Sequence, residues 1–278
     1  MKIYRVKAGI LIESEGNYFF ENSNWDEFVN DDNLVSKIQN LIASKTVLKV
    51  ENDLINDQLL LAPIQSQEIW ASGVTYFNSK LARQEESKDA GGGDFYAKVY
   101  VADRPELFFK ATANRTVGSG SNVRIRQDSS WNVPEPELTL LISSNGKIIG
   151  YTIGNDMSSR SIEGENPLYL PQAKSYDGSA SIGPCIFVSE NPPAKETEIE
   201  MIINRKGESV FEGKTDLGQI KRNLEDLVSW LFRETSFPSG CFLMTGTGIV
   251  PPKEFSLQKG DEIRITIEPI GTLVNFVE

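Results

Sequence analysis

Glu135 and Glu137 stand two residues apart in the run WNVPEPEL. On an extended segment that spacing points both carboxylates to one face, and the flanking Pro134 and Pro136 stiffen the approach. Downstream, the apolar runs Leu138 to Ile142 and Ile148 to Ile153 are separated by Asn145-Gly146, a strong hairpin signal. An antiparallel ribbon lays its open ends side by side, so Asp156, just past the second run, comes next to the two glutamates. Carboxylates gathered in this way repel one another, and a metal ion or a basic side chain must offset the repulsion. An oxygen-only donor set suits a hard divalent cation such as Mg²⁺ or Mn²⁺, with Ca²⁺ also possible. A Glu-x-Glu pair alone is common on solvated acidic faces. The weight here comes from Asp156 and from Lys174, whose ammonium could hold the same cluster or, with its pKa lowered by burial beside a cation, act as a base.

The 278-residue chain contains no histidine. That absence removes His-ligated zinc, Ser-His-Asp and Cys-His nucleophilic catalysis, and imidazole acid–base chemistry together. Proton transfer falls to Glu, Asp, Lys, Tyr, Cys or metal-bound water. With 39 acidic against 28 basic residues, a net charge of −11 and a pI near 4.8, neither nucleic acid nor an anionic membrane surface is an expected partner. A hydrophobic fraction of 39% with 24% charged residues describes a globular chain that can bury a substantial core. No apolar run reaches the length of a membrane span, and the start, MKIYRVKAGILIESEG, lacks the pattern of a secretory signal. Cys185 and Cys241 lie in apolar runs and read as buried reduced thiols, so a cytoplasmic location is expected.

The elements that must position the acidic groups are mostly strands. Residues 1–65 read as a small αβ domain with a scaffolding or oligomer-forming role: strands within Met1 to Phe20, an amphipathic helix over Asp31 to Ser44, and a strand-like run from Leu59 to Ile64. Gln67 to Val74 reads as a buried strand. Tyr76 to Asp89 reads as a polar helix that Gly91-Gly92-Gly93 would end, a candidate lid. Phe95 to Asp103 reads as a short helix, and LFFKA as a strand carrying Lys110. Ser158 to Glu163 reads as a helical turn, Glu198 to Asn204 and Ser209 to Glu212 as strands, and Asp216 as the N-cap of a helix with Ile220, Leu224, Leu227 and Leu231 on one stripe. Cys241 to Met244 is a strand running into Thr245-Gly246-Thr247-Gly248, where hydroxyls and backbone amides could receive a carboxylate.

With PEPEL, GNDMSSR, QAKSYDG and MTGTG placed, residues 66–278 resemble the fumarylacetoacetate hydrolase superfamily in the order and spacing of these motifs. RPELFFKATANR and EGENPLYLPQ are most similar to its sugar-acid branches, which include 2-keto-3-deoxy-D-arabinonate dehydratases. The resemblance implies an α+β, mainly β fold, with a mixed β-sandwich or β-roll catalytic domain at 66–278 behind the N-terminal domain, in a homodimer or higher homo-oligomer. It implies Mg²⁺ held by Glu135, Glu137 and Asp156, with Lys174 beside it and Lys110 as a second active-site lysine. Glu106 would be the acidic residue of the dehydratase branch, Thr247 a contact to the substrate carboxylate, and Gln172 and Arg160 groups that line or brace the site. One departure stands out: Ser79 falls where hydrolases of the superfamily usually carry the histidine of a His-Glu pair. Arg83, Glu85 and Glu86 are then the polar groups of the expected lid, with one glutamate as acid or base.

The expected substrate is a small 2-oxo acid. Its carboxylate and keto oxygens can chelate a divalent cation, which stabilises the enolate formed when C3 loses a proton to Lys174 or a glutamate. A hydroxyl on C4 then leaves, so the expected reaction is dehydration of a 2-keto-3-deoxy sugar acid. Hydrolysis of a carbon–carbon bond in an acylpyruvate is the alternative, and a catalytically silent metabolite-binding protein a third.

Overall fold

The computed structural model describes residues 1–48, 60–79 and 93–278. Strands β1 (Lys2–Val6), β2 (Gly9–Ser14) and β3 (Asn17–Glu21) lead into the helices α1 (Trp25–Val29) and α2 (Leu34–Ala43). Then come β4 (Leu60–Leu61), β5 (Glu68–Gly73), α3 (Gly93–Val101), β6 (Glu106–Thr112), and the short strands β7 (Thr116–Val117), β8 (Ser121–Val123) and β9 (Asn132–Val133). The expected hairpin is β10 (Pro136–Ile142) and β11 (Ile148–Asp156), followed by β12 (Ser158–Ser159), α4 (Arg160–Glu165) and α5 (Leu170–Lys174). The chain closes with β13 (Ala180–Phe187), β14 (Glu198–Arg205), β15 (Glu208–Asp216), α6 (Leu224–Leu231), β16 (Cys241–Met244), β17 (Glu262–Ile267) and β18 (Gly271–Val277). No helix among the described residues is long and apolar enough to cross a membrane.

These strands form two main sheets. The larger has the order β3-β2-β1-β13-β11-β10-β16-β5-β6, with β4 and β7 beside this path; the smaller has the order β15-β14-β17-β18-β8. Alternation along β10 decides what lies between them. Leu138, Leu140 and Ile142 turn to one face and pack with Ile199, Met201, Ile203, Ile263, Ile265 and Ile267 of the smaller sheet, which makes a β-sandwich. Leu141 turns to the other face and joins Ile3, Ile10, Ile12, Phe242 and Met244 under Trp25, Phe28, Leu34 and Ile38 of α1 and α2. Burying each of these side chains contributes roughly 1.5–3 kcal/mol. The second face is therefore apolar under the helices, and beyond them it carries Glu137.

The hairpin register is Pro136↔Asn155, Glu137↔Gly154 and Leu138↔Ile153. Its tip closes with Gly146 at φ 79°, a left-handed conformation that glycine adopts without strain. Asp32, just before α2, accepts hydrogen bonds from Ser143 Oγ at 2.5 Å and Asn145 Nδ2 at 2.9 Å. The N-terminal strands continue the same sheet, since β1 pairs with β13 through Lys2↔Phe187 and Ile3↔Ile186.

Several local expectations shift. The helix expected after Asp216 begins at Leu224, with Asn223 Oδ1 accepting from Asp226 N at 3.1 Å as its cap. Asp216 instead ends β15, and Ile220 makes an isolated bridge with Tyr76. Of the strand-like run expected from Leu59 to Ile64, Leu59 lies outside the described residues, and the described part forms the two-residue β4. The helical turn expected at Ser158 starts at Arg160, because Ser158 and Ser159 first pair with Val133 and Asn132.

Gly154 lies across from Glu137, and a Cβ there would collide with Thr139 Oγ1 and come within 3.0 Å of Met244 Cε. Thr139 is β-branched and cannot yield easily. Gly154→Ala should lower stability by about 1–3 kcal/mol, measurable as a shift in the urea midpoint at unchanged slope.

Candidate functional site

The open end of the hairpin gathers the acidic groups on one face of the larger sheet. Beyond the Pro136–Asn155 pair, Asp156 N donates to Glu135 O at 3.0 Å, which sets Glu135 opposite Asp156. Glu137 and Gly154 occupy the next same-face position, so Glu135, Glu137 and Asp156 point the same way. One oxygen from each lies within 4.8 Å of the other two, and all three residues are buried. A cation with oxygen ligands at about 2.0–2.6 Å can draw on all three after at most a small inward shift.

Two lysines and an arginine from separate elements meet this cluster. Lys174, the last residue of α5, donates to Glu135 Oε2 at 2.9 Å, Asp156 Oδ2 at 2.9 Å and Ser158 Oγ at 2.5 Å. Lys110 is aimed inward by an irregularity of β6: Ile69 pairs with Ala111 and Trp70 with Phe109, so Lys110 is the extra residue of a bulge. Its ammonium lies 2.5 Å from Asp156 Oδ1 and also donates to the backbone carbonyls of Met157, at 2.9 Å, and Lys174. Arg160, at the start of α4, donates from Nη2 to Glu135 Oε1 at 2.7 Å. Sequence reasoning missed the fourth carboxylate. Glu163, one turn along α4 and 2% exposed, lies 3.4 Å from Lys174 and 3.7 Å from Arg160. The Arg-x-x-Glu spacing, which puts both side chains on one helix face, was the available signal.

Among the described residues, four buried carboxylates thus face three buried cations, a net charge of minus one for these seven groups when all are ionised. The excess falls on Glu137. Burial, then the charges of Asp156 and Glu135, push its carboxyl well above the ordinary glutamate range, against the opposing pull of Lys174 and of Gly246 N, which donates to Glu137 Oε2 at 2.5 Å. Burial also pulls the Lys110 ammonium below the usual lysine value, with Asp156 opposing and Lys174 adding to the shift. A donor set of three buried carboxylates suits a hard divalent cation.

The other expected site residues fall into three groups. Glu106 starts β6 and pairs with Gly73, and a Cβ on Gly73 would collide with its carboxylate. Thr247 is buried in the loop after β16, beside the Gly246 amide that holds Glu137, and its hydroxyl exchanges hydrogen bonds with Ile249 N and O at 3.2 Å. Gln172 is exposed on α5, with its backbone oxygen accepting from Arg126 Nη1 at 2.9 Å. Arg83, Glu85, Glu86 and most of the expected polar lid helix lie outside the described residues. Ser79 is closed into its own turn, donating to Tyr76 O at 2.8 Å and accepting from Tyr76 N at 3.3 Å.

Residues 69–278 match the family model of the fumarylacetoacetate (FAA) hydrolase C-terminal domain. The chain belongs to the fumarylacetoacetate hydrolase family. It is 49% identical over 229 residues, 82% of this chain and 78% of the relative, to a protein of Haloferax volcanii named probable 2-keto-3-deoxyxylonate dehydratase. It is 43% identical over 231 residues, 81% of this chain and 76% of the relative, to the 2-dehydro-3-deoxy-D-arabinonate dehydratase of Saccharolobus solfataricus. Its fold matches the solved structure of a 2-keto-3-deoxy-D-arabinonate dehydratase complexed with magnesium and 2,5-dioxopentanoate, with a TM-score of 0.81, 34% identity, and coverage of 100% of this chain and 99% of that one. The mainly β, two-sheet architecture expected from the family resemblance is therefore the observed one.

The raised Glu137 carboxyl has a consequence for stability. Its folded value lies above the ordinary 4.5, so between those two values the folded state binds more protons than the unfolded one. The metal-free protein then loses stability as pH rises through that window. Thermal unfolding without metal should show this decline, and Glu137→Gln should flatten it and raise the melting temperature at neutral pH.

Proposed function

We propose that this chain is a Mg²⁺-dependent hydro-lyase that dehydrates a 2-keto-3-deoxy sugar acid. The observation that carries this reading is the buried cluster of Glu135, Glu137 and Asp156 with Lys174 bridging two of its members. Glu135, Glu137 and Asp156 would hold the cation, which when bound supplies Lewis-acid polarisation of a 2-oxo carboxylate and stabilises charge developing on its keto oxygen. Magnesium and a dioxo acid bound to the related dehydratase support this reading.

The chain's own groups divide the remaining work. Thr247 and the amides around it receive the substrate carboxylate. Lys174, in its amine form, takes the proton from C3, while Lys110 fixes Asp156 in place. A carboxyl group, Glu106 or one of Glu85 and Glu86, protonates the departing C4 hydroxyl. The C3–H and C4–O bonds break, a C3=C4 bond forms, and water leaves. No histidine is needed, and Ser79, held within its own turn, offers no water-activating base of the hydrolase kind. The buried free thiols of Cys185 and Cys241 support a cytoplasmic setting, and the family resemblance supports a homodimer or higher homo-oligomer.

Incubating the protein with Mg²⁺ in D₂O, with 2-keto-3-deoxy sugar acids and acylpyruvates offered side by side, tests the reaction by NMR. Deuterium at C3 and a dehydrated oxo acid are expected; shortened acids would point to a hydrolase, and no exchange at C3 to a binding protein. Glu137→Gln should lower Mg²⁺-dependent turnover by about 10²–10³-fold and remove the stabilisation that Mg²⁺ confers on the wild type. Full activity in that variant would refute the ligand assignment.

A further inference from the structure

Glu135 and Asp156 have every carboxylate oxygen in contact with a cation of the chain. Arg160 is on Glu135 Oε1 and Lys174 on Oε2; Lys110 is on Asp156 Oδ1 and Lys174 on Oδ2. A divalent cation drawing on these carboxylates must share them with, or displace, Lys174 and Arg160. Neither side chain can retreat into water, since Lys174 is 0% and Arg160 2% exposed. A buried charge that loses its counter-charge is strongly unfavourable, so a second anion close at hand would keep each of them paired.

Glu163 is placed to be that anion. One oxygen lies 3.4 Å from Lys174 Nζ and the other 3.7 Å from Arg160 Nε, within ion-pair reach of both cations that contact Glu135 but longer than a good hydrogen bond. It is not one of the three clustered carboxylates, and it sits on the same face of α4 as Arg160. A shift of well under an ångström would bring either cation into hydrogen-bonding contact with it. We infer that Glu163 is a positioning residue that holds Arg160, and Lys174 in its protonated form, when Glu135 and Asp156 turn to the metal, so that neither cation stays on the ligands. This rests on the proposed metal-dependent reading of the site and adds to it a residue outside the three clustered carboxylates.

Isothermal titration of the full chain with MgCl₂, beside steady-state kinetics on the 2-keto-3-deoxy acid, tests the idea. Glu163→Gln keeps the shape but removes the charge, so Lys174 and Arg160 stay on Glu135. Its Mg²⁺ affinity should fall about 10-fold or more, with kcat lowered and KM for the acid nearly unchanged. Glu163→Asp keeps the charge but, one methylene shorter, moves it out of reach of at least one of the two cations, so it should recover only part of both losses, and it carries the test if the glutamine variant does not fold. Wild-type Mg²⁺ affinity in Glu163→Gln, or in Glu163→Asp where that variant alone folds, would overturn the assignment. If the wild type binds Mg²⁺ and Glu163→Gln weakens it, but no acid in the panel is dehydrated, the proposed reaction fails while the role of Glu163 stands.

Discussion

Like-charge repulsion between carboxylates fixed on one face of a two-stranded ribbon is the constraint to which the site is built. Unit charges 4.8 Å apart repel by about 3–4 kcal/mol at an effective dielectric near 20. Three such pairs cost on the order of 10 kcal/mol, comparable with the whole stability of an ordinary domain. The ribbon cannot relieve this by letting side chains swing into water, because all three residues are buried. Cations must come to the carboxylates instead, and three separate elements deliver them: β6 brings Lys110, α4 Arg160 and α5 Lys174.

The rest of the fold explains why the ribbon stays rigid under that load. Its opposite face is locked into the sandwich by Leu138, Leu140 and Ile142, and its tip is held by Asp32 beside α2. The bulge in β6 turns a lysine out of the strand's ordinary alternation and onto Asp156. Cation supply still falls one charge short among these residues, and the deficit appears in the raised carboxyl of Glu137. A structural ion-pair network would gain from closing that deficit with another basic side chain. A metal site gains from leaving it open, because the residual negative charge is what draws in a divalent ion.

Much of this was legible in the residues themselves. Asn145-Gly146 between two apolar runs specified the hairpin, and the hairpin placed Asp156 beside the Glu-x-Glu pair, because local turn chemistry fixes the register. Lys174 and Arg160 were found through their motifs. Glu163 was not, because the Arg-x-x-Glu spacing sets it beside Arg160 but carries no sign of Lys174, the second cation, which arrives from another helix. The start of α6 was misplaced because Asp216 and Asn223 are both good caps in isolation, and the pairing of β15 with β14, through Asp216↔Glu198, claimed the first of them. The N-terminal strands looked self-contained in sequence, but their partner β13 lies far along the chain, and long-range pairing leaves no local trace.

The central claim is that one divalent cation sits among Glu135, Glu137 and Asp156. Anomalous diffraction from crystals soaked in Mn²⁺ tests it most directly, because manganese reports its own position without reference to activity. A single strong anomalous peak within about 2.0–2.4 Å of an oxygen from each of the three carboxylates is the predicted result. A peak held by other residues, or none in a crystal shown to have taken up the ion elsewhere, would contradict it.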